Sequence, residues 1–257
     1  MKGSLRVAIF LFVAVLLLVA AVYAISMHFW PTSPAFVVVS YANGGIHTTN
    51  QESLDVTVKK LGYRHVKYNP SMIPDLVNQH PEHFEHKRGG GYWIWKPYIV
   101  LKELERMHDD EVLVYVDAGA FLLSRVDSLL REHPDAQLIA FPGCRQNPEC
   151  LHRRWNKRDL SLRLGADTPD ILDIPQVESG FFIMRKGAIP IIKDWYSVAS
   201  DLKNVDDSPS IAPNAEDFVE HRHDQSILHI LCHKHHKDKT IVLPDKSKLV
   251  EHHRRRS

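Results

Sequence analysis

Gly89-Gly-Gly-Tyr-Trp-Ile-Trp-Lys-Pro97 and, one helix length later, Val112-Leu-Val-Tyr-Val-Asp-Ala-Gly119 are the runs whose reading decides the fold. Consecutive glycines let a backbone take positive φ or pass close to a ligand, and aromatic rings beside them offer flat apolar faces. That mixture, with the cation of Lys96, suits a ring and a phosphate better than a core, so Gly90, Gly91, Tyr92, Trp93, Trp95 and Lys96 are candidate substrate-binding residues. An ordinary alternative is that the aromatics fill a corner of the core. Pro97 can open a helix at its first position, and Tyr98, Leu101 and Leu104 then share one face. Asp109-Asp-Glu111 breaks the pattern, and Val112–Val116 reads as a strand buried on both faces. Ligands of open α/β sheets bind outside the carboxyl ends of the strands. Asp117 is delivered to such an end with Ala118 and Gly119 leaving room beside it, where it either holds a ligand or caps the turn.

Outward from this centre the chain alternates. Phe36–Tyr41 is a β-branched run, Asn43-Gly-Gly45 turns it, and Thr49 with Glu52 fits a capping box for a helix carrying Leu54, Val58 and Leu61 as far as Gly62. His65–Tyr68 is the next strand, and strand, helix, strand opens a parallel sheet. Beyond Gly119, Ser124 with Asp127 fits a second capping box for a helix through Arg131, and Leu138–Phe141 and Val177–Met184 return as strands. Ile191 or Ile192, Trp195, Val198 or Ala199 and Leu202 line a further helix; another opens at His221-Arg-His-Asp-Gln-Ser226, and Thr240–Leu243 closes the sheet. Residues 36–257 are thus expected to form one α/β domain with a mostly parallel central sheet flanked by helices. Ser71–Arg88 and Pro142–Gln176 are loops, the second carrying Trp155 and Lys157, and so long an irregular stretch is commonly functional.

The chain has 257 residues and hydrophobic content of 44%, enough for one good core. A net charge of +1 argues against a nucleic-acid partner. Val7–Met27 has no charged residue, and at ~1.5 Å per helical residue it spans a ~30 Å hydrocarbon layer. Lys2 and Arg6 precede it and no Lys or Arg follows until Lys59, so the expected order is a cytosolic tail at 1–6, a transmembrane signal-anchor at 7–27 in a lipid bilayer, and a short stem at 28–35. A cleavable signal ending near Val22-Tyr-Ala24 is the rival. In an oxidising compartment Cys144 and Cys150 are near enough to close a small loop; otherwise they and Cys232 are free and buried.

Two more carboxylates fall at element starts. Glu178 opens a strand, and Asp224 with Gln225 opens a helix, where a carboxylate also serves as an ordinary first-turn residue. Either carboxylate can act as general base for a hydroxyl. The 17 histidines raise a metal-dependent hydrolase built on His221 with His223, His229 with His233, and His235 with His236. No HExxH supports it, and most of these side chains are expected to be solvated. His252 or His253 could approach a metal from the C-terminal end, with Arg254–Arg256 a solvated tail or a border for an anion.

Gly90-Gly-Tyr-Trp-Ile-Trp-Lys-Pro97 and Tyr115-Val-Asp-Ala-Gly119, in order with Trp155–Leu160, Gln176–Gly180, His221–Ser226 and His253-Arg254, resemble the nucleotide-diphospho-sugar transferases of GT-A fold, of the GYWxWKP and YxDAG type. The resemblance runs from about Phe36 to the C-terminus. It implies a glycosyltransferase: a nucleotide-sugar donor, a glycan, lipid or protein hydroxyl as acceptor, and a divalent cation, Mn2+ or Mg2+. Asp117 is carried over as the residue on the metal and diphosphate, with His253 a further metal candidate and Gly90, Gly91, Tyr92, Trp93, Trp95, Lys96, Gly119, Trp155, Lys157 and Gln225 on the donor or substrate. Gly119 stands where a second aspartate is usual, so Asp224 or a histidine has to supply the missing ligand, or Lys96 and the arginines the charge. Glu178 and Asp224 are the catalytic candidates. A single-pass type II protein facing the Golgi or ER lumen is expected, or the inner membrane of a bacterium. A non-catalytic sugar- or nucleotide-binding protein on the same sheet is the third reading.

Overall fold

The computed structural model describes Val15, residues 35–144 and residues 148–252. The chain divides into Met1–Pro34 and Ala35–Ser257. Apart from Val15, the expected anchor at 7–27 lies outside the described residues, as do most of the stem, His253 and Arg254–Arg256. Among the described residues no helix is long and apolar enough to cross a membrane.

Six strands form the central sheet of the second unit: β1 (Phe36–Tyr41), β2 (Arg64–Tyr68), β3 (Val112–Val116), β5 (Leu138–Ala140), β6 (Phe181–Arg185) and β7 (Thr240–Val242), in the order β2-β1-β3-β6-β5-β7. The β1–β2, β1–β3 and β5–β7 pairs are parallel, whereas β6 runs antiparallel to both of its neighbours. The expected mostly parallel sheet is therefore present, with β6 as its reversed strand. Two short strands outside the expected set, β4 (Ala120–Leu122) and β8 (Val250–His252), form a separate antiparallel ribbon.

Side chains alternate across a strand, so the buried strands feed two cores at once. Val37, Val39, Leu113, Tyr115, Phe182 and Met184 face one layer, and Val38, Val112, Val114, Val116, Phe181 and Ile183 face the other. The second layer is closed by α1 (Gly45–Lys60) through Leu54 and Val58. The first is closed by α2 (Trp95–Arg106), α3 (Ile189–Ala199) and α4 (His223–Ile230). Burying one Leu- or Ile-sized side chain stabilises by about 1.5–3 kcal/mol, so Ile99, Val100 and Leu104 are what fix α2 on the sheet.

Several local expectations are corrected. α2 begins at Trp95, two residues before Pro97, and its buried stripe holds Ile99 and Val100, while Tyr98 and Leu101 are half-buried. Neither capping box forms: Thr49 lies inside α1, whose N-cap is Gly44, and Ser124 donates instead to the Lys248 carbonyl at 2.8 Å. Short helical turns occupy the expected loops, among them Pro74–Gln79, Pro81–Phe84, Arg158–Arg163 and Pro169–Leu172. Cys144 and Cys150 form a disulfide, and Cys232 is free and buried.

Candidate active site

A cleft of about 560 Å³ opens at the carboxyl end of β3 and draws on residues from Arg88 to His252. Its floor is a charged cluster that three elements assemble. α2 contributes Lys96 and the end of β3 contributes Asp117, while Asp224 comes from the first turn of α4. The Lys96 Nζ lies 3.4 Å from Asp117 Oδ1 and 3.3 Å from Asp224 Oδ2, and donates at 3.1 Å to both the carbonyl and the hydroxyl of Ser179. Its side chain is 2% exposed, so this cation is part of the frame and not a solvated surface lysine.

Burial alone would push Lys96 down, but the two carboxylates more than offset it and hold the ammonium above the usual lysine value. Burial likewise works to raise Asp117, yet the Lys96 charge, the Tyr115 hydroxyl and the charge of His252 keep that carboxyl below its ordinary value. Tyr115 donates to Asp117 Oδ1 at 2.8 Å, and burial beside that carboxylate pushes the phenol well up, so it stays a neutral donor. Asp224 behaves the other way. Burial raises it, the Asp117 charge adds to the rise, and Lys96 offsets only part. One ammonium facing two carboxylates leaves a single negative charge on the floor when both are ionised.

The wall beside Asp117 is made by Gly180, Glu178, Lys246 and His252. A Cβ on Gly180 would meet Asp117 Oδ2 at 2.9 Å and His252 Cε1 at 3.4 Å, so this position is small because a carboxylate and an imidazole close over it. Glu178 is ion-paired with Lys246, and His252 Nε2 lies 3.2 Å from the Lys246 Nζ and 3.9 Å from Glu178 Oε2. Pairing of β8 with β4 sets Ala120 opposite His252 and thereby holds that imidazole at the cleft.

The opposite wall is aromatic and strained. Among the described residues, Tyr92, Trp93 and His223 are the non-glycine residues of positive φ, at 52°, 61° and 50°, and His223 joins the other two, stacked at 5.0 Å on Trp93 and 5.3 Å from Tyr92. Such conformers cost ~1–3 kcal/mol each and persist where surrounding contacts hold them. Further along, the Arg222 guanidinium lies 4.4 Å over Trp155, whose indole donates to the Glu149 carbonyl at 2.6 Å.

Of the expected site residues, the structure brings Trp93, Lys96, Asp117, Trp155, Glu178, Asp224 and Gln225 to this cleft. It does not bring the others. Trp95 is buried and stacked on Tyr41 at 4.0 Å with its indole on the Gly89 carbonyl, and Tyr92 is buried behind Trp93. Gly90 and Gly91 face Asn43 and Phe84, their φ of 58° and 96° serving the turn into α2. Lys157 is buried on Asp206 at 2.5 Å, which ties down a loop outside the cleft. Gly119 is not among the cleft-lining residues, and His253 is not described. Arg88, Gln176, Ser179, Arg222, His223, Lys246 and His252 complete the surroundings. Gln176, Ser179, Arg222, His223 and His252 lie in or beside stretches the sequence singles out, whereas nothing local marks Arg88 or Lys246.

Most of the C-terminal histidines are buried or half-buried, His235 being exposed, and they form no metal cluster among the described residues. His221 accepts from the Lys157 amide and donates to the Asn204 carbonyl, and His229 does the same between Val177 and Ile171. Both rings are spent on backbone groups, and burial pushes each down to about 3.

Asp117 offers the oxygen ligand that Mn2+ or Mg2+ prefers, above a floor of net negative charge, whereas the His252 ring comes to Gly180 with its Cε1 carbon and has its Nε2 3.2 Å from the Lys246 ammonium. Neither a protein-family model nor a curated protein matches the sequence. Among solved structures, a glycosyltransferase involved in the glycosylation of the major capsid of PBCV-1 matches 87% of this chain over 95% of its own, with TM-score 0.51 and 13% identity. More distant in shape are mouse xyloside xylosyltransferase 1 (TM-score 0.46, 11% identity, 81% of this chain and 85% of that) and the galactosyltransferase LgtC (TM-score 0.44, 13% identity, 80% and 72%). The fold is the GT-A fold of the glycosyltransferases.

Proposed function

We propose that the protein is a membrane-anchored glycosyltransferase that moves a sugar from a nucleotide-diphosphate donor to a hydroxyl of a glycan, lipid or protein. The observation that carries this reading is the Lys96, Asp117 and Asp224 cluster at the carboxyl end of β3 in a fold of this kind. Trp93 and Trp155 offer flat faces for rings, and Arg88 and Arg222, both ion-paired with Glu220, bring guanidinium groups to the cleft that suit a diphosphate. Fixed charges aimed at a leaving group need no reorganisation during reaction and are commonly the largest catalytic contribution.

In the step itself, the bond between the anomeric carbon and the diphosphate oxygen breaks and the nucleoside diphosphate leaves with the electron pair. The acceptor oxygen forms the new bond to that carbon and loses its proton to a carboxylate. Asp224 suits the base role, because burial raises it toward the working pH while Lys96 keeps it oriented. Glu178 is the second candidate. Asp117, with His252 beside it, is the residue that would hold Mn2+ or Mg2+, which when bound would supply neutralising charge to the diphosphate.

Anchoring belongs to the same proposal: Val7–Met27 as a signal-anchor, with the domain facing the Golgi or ER lumen or the outer side of a bacterial inner membrane. The Cys144–Cys150 disulfide supports an oxidising side. The test is a thermal-shift screen of the full chain against sugar nucleotides with and without Mn2+, followed by transfer assays on the binders. Nucleotide-dependent stabilisation with turnover supports the reading. Binding without turnover favours a non-catalytic protein, and stabilisation by zinc alone with no nucleotide response defeats both.

A further inference from the structure

His80, Glu82 and His83 form a cluster at the turn into Pro81–Phe84, apart from the cleft lining, with one ligand atom of each within 4.8 Å of the others. The other ring nitrogen of each imidazole is already committed. His83 Nε2 lies 3.0 Å from the Ala199 carbonyl, an acceptor only, so this nitrogen carries the hydrogen. His80 Nε2 lies 3.0 Å from the Tyr196 hydroxyl, which itself donates to Gln79 Oε1 at 3.4 Å and so accepts from the histidine. With Nε2 the donor on each ring, both Nδ1 atoms turn toward Glu82 Oε1, at 3.2 Å from His83 and 3.7 Å from His80, an approach of nitrogen and oxygen lone pairs that needs a cation between them, a proton or a metal ion. Metal-bound histidines are held in this way, by an acceptor on the far nitrogen.

We propose that His80 Nδ1, His83 Nδ1 and Glu82 bind one borderline divalent ion of the zinc class. With metal–ligand bonds of ~2.0–2.2 Å, tetrahedral neighbours lie about 3.3–3.6 Å apart, close to the two observed separations. His83 is 0% exposed and His80 18%, while Glu82 at 48% leaves the fourth position open to water. Two imidazoles and a carboxylate select zinc-like ions over Mg2+ or Ca2+, which prefer oxygen. The ion would staple this turn to α3, through Tyr196 and the Ala199 carbonyl. The segment beyond leads to the cleft wall: Phe84 packs under Gly91, and His86 lies 4.9 Å from Tyr92. The inference does not depend on the transfer reaction.

The experiment is equilibrium dialysis of the metal-depleted full chain against zinc alone, with Co2+ absorption as a second readout. One equivalent is expected to bind, with a tetrahedral cobalt spectrum. Glu82→Gln, at a half-exposed position that spares the fold, should weaken binding at least tenfold, as should His80→Gln, while Asp117→Asn leaves it unchanged. No stoichiometric binding by the native chain overturns the proposal, since the gap at Glu82 is then filled by a proton. So does binding that survives Glu82→Gln and His80→Gln, or that is lost in Asp117→Asn.

Discussion

Lys96 Nζ sits 3.4 Å from the Asp117 carboxylate, beneath a site where a lysine would ordinarily be expected to reach out toward substrate. The lysine thereby orders the carboxylates, and Asp117, which keeps 34% of its side chain exposed, is the member of the pair open to a ligand in the cleft. Removing one partner of a buried pair leaves an uncompensated charge, at about 3–5 kcal/mol. Lys96→Met should therefore lower the melting temperature sharply and abolish transfer, both read on the same preparation. A variant that melts like the native chain would show the cluster to be less buried than described.

Asp117→Asn preserves shape and the Tyr115 hydrogen bond while removing the charge. Transfer should fall by ~10²–10³, the scale of losing one preorganised electrostatic group, with the fold intact by circular dichroism. Normal activity would defeat the assignment of Asp117.

Gly180→Ala separates space from charge. The added methyl would press Asp117 Oδ2 at 2.9 Å and the His252 ring at 3.4 Å. We expect transfer to drop by roughly tenfold or more, since small misplacements in a site are costly, with any Mn2+ response lost in parallel. The melting temperature should change little. An unaffected Mn2+ response would move the cation elsewhere.

The two carboxylates give opposite pH signatures. Asp117 is held below its usual value, so it contributes stability at pH above the unfolded carboxylate range that is lost as pH falls through its folded value. Asp224 is raised, so its contribution is full below that range and fades as pH rises through its folded value. As general base it must be ionised, which places the acidic limb of transfer above the ordinary 3.8 of an aspartate. The limb should vanish in Asp224→Asn along with most of the activity. A limb that persists unchanged in a Glu178→Gln chain and disappears with Asp224 confirms which carboxylate takes the proton.

Much of the frame is legible in residues. β1 was bounded by its β-branched run, β3 by the break at Asp109–Glu111, and the position of Asp117 followed from the strand that delivers it. The reversal of β6 was not readable, because a buried strand has the same apolar pattern in either direction. Glycines and tryptophans marked the right neighbourhood and the wrong contacts: Trp95, Gly90 and Gly91 build the turn that lets Trp93 face the cleft. Lys157 and the C-terminal histidines misled for another reason. Polar side chains that satisfy buried backbone groups look, in sequence, like ligands.

The ribbon of β4 and β8 also bears on how the molecule is made. Ser124 and Lys248, 124 positions apart, are joined across it, and this closure sets His252 beside Asp117. Joining distant segments carries the entropy of a long loop, while two three-residue strands return little of it. The cleft should be the last part of the domain to assemble and the first to open under mild denaturant, with activity disappearing before the sheet does.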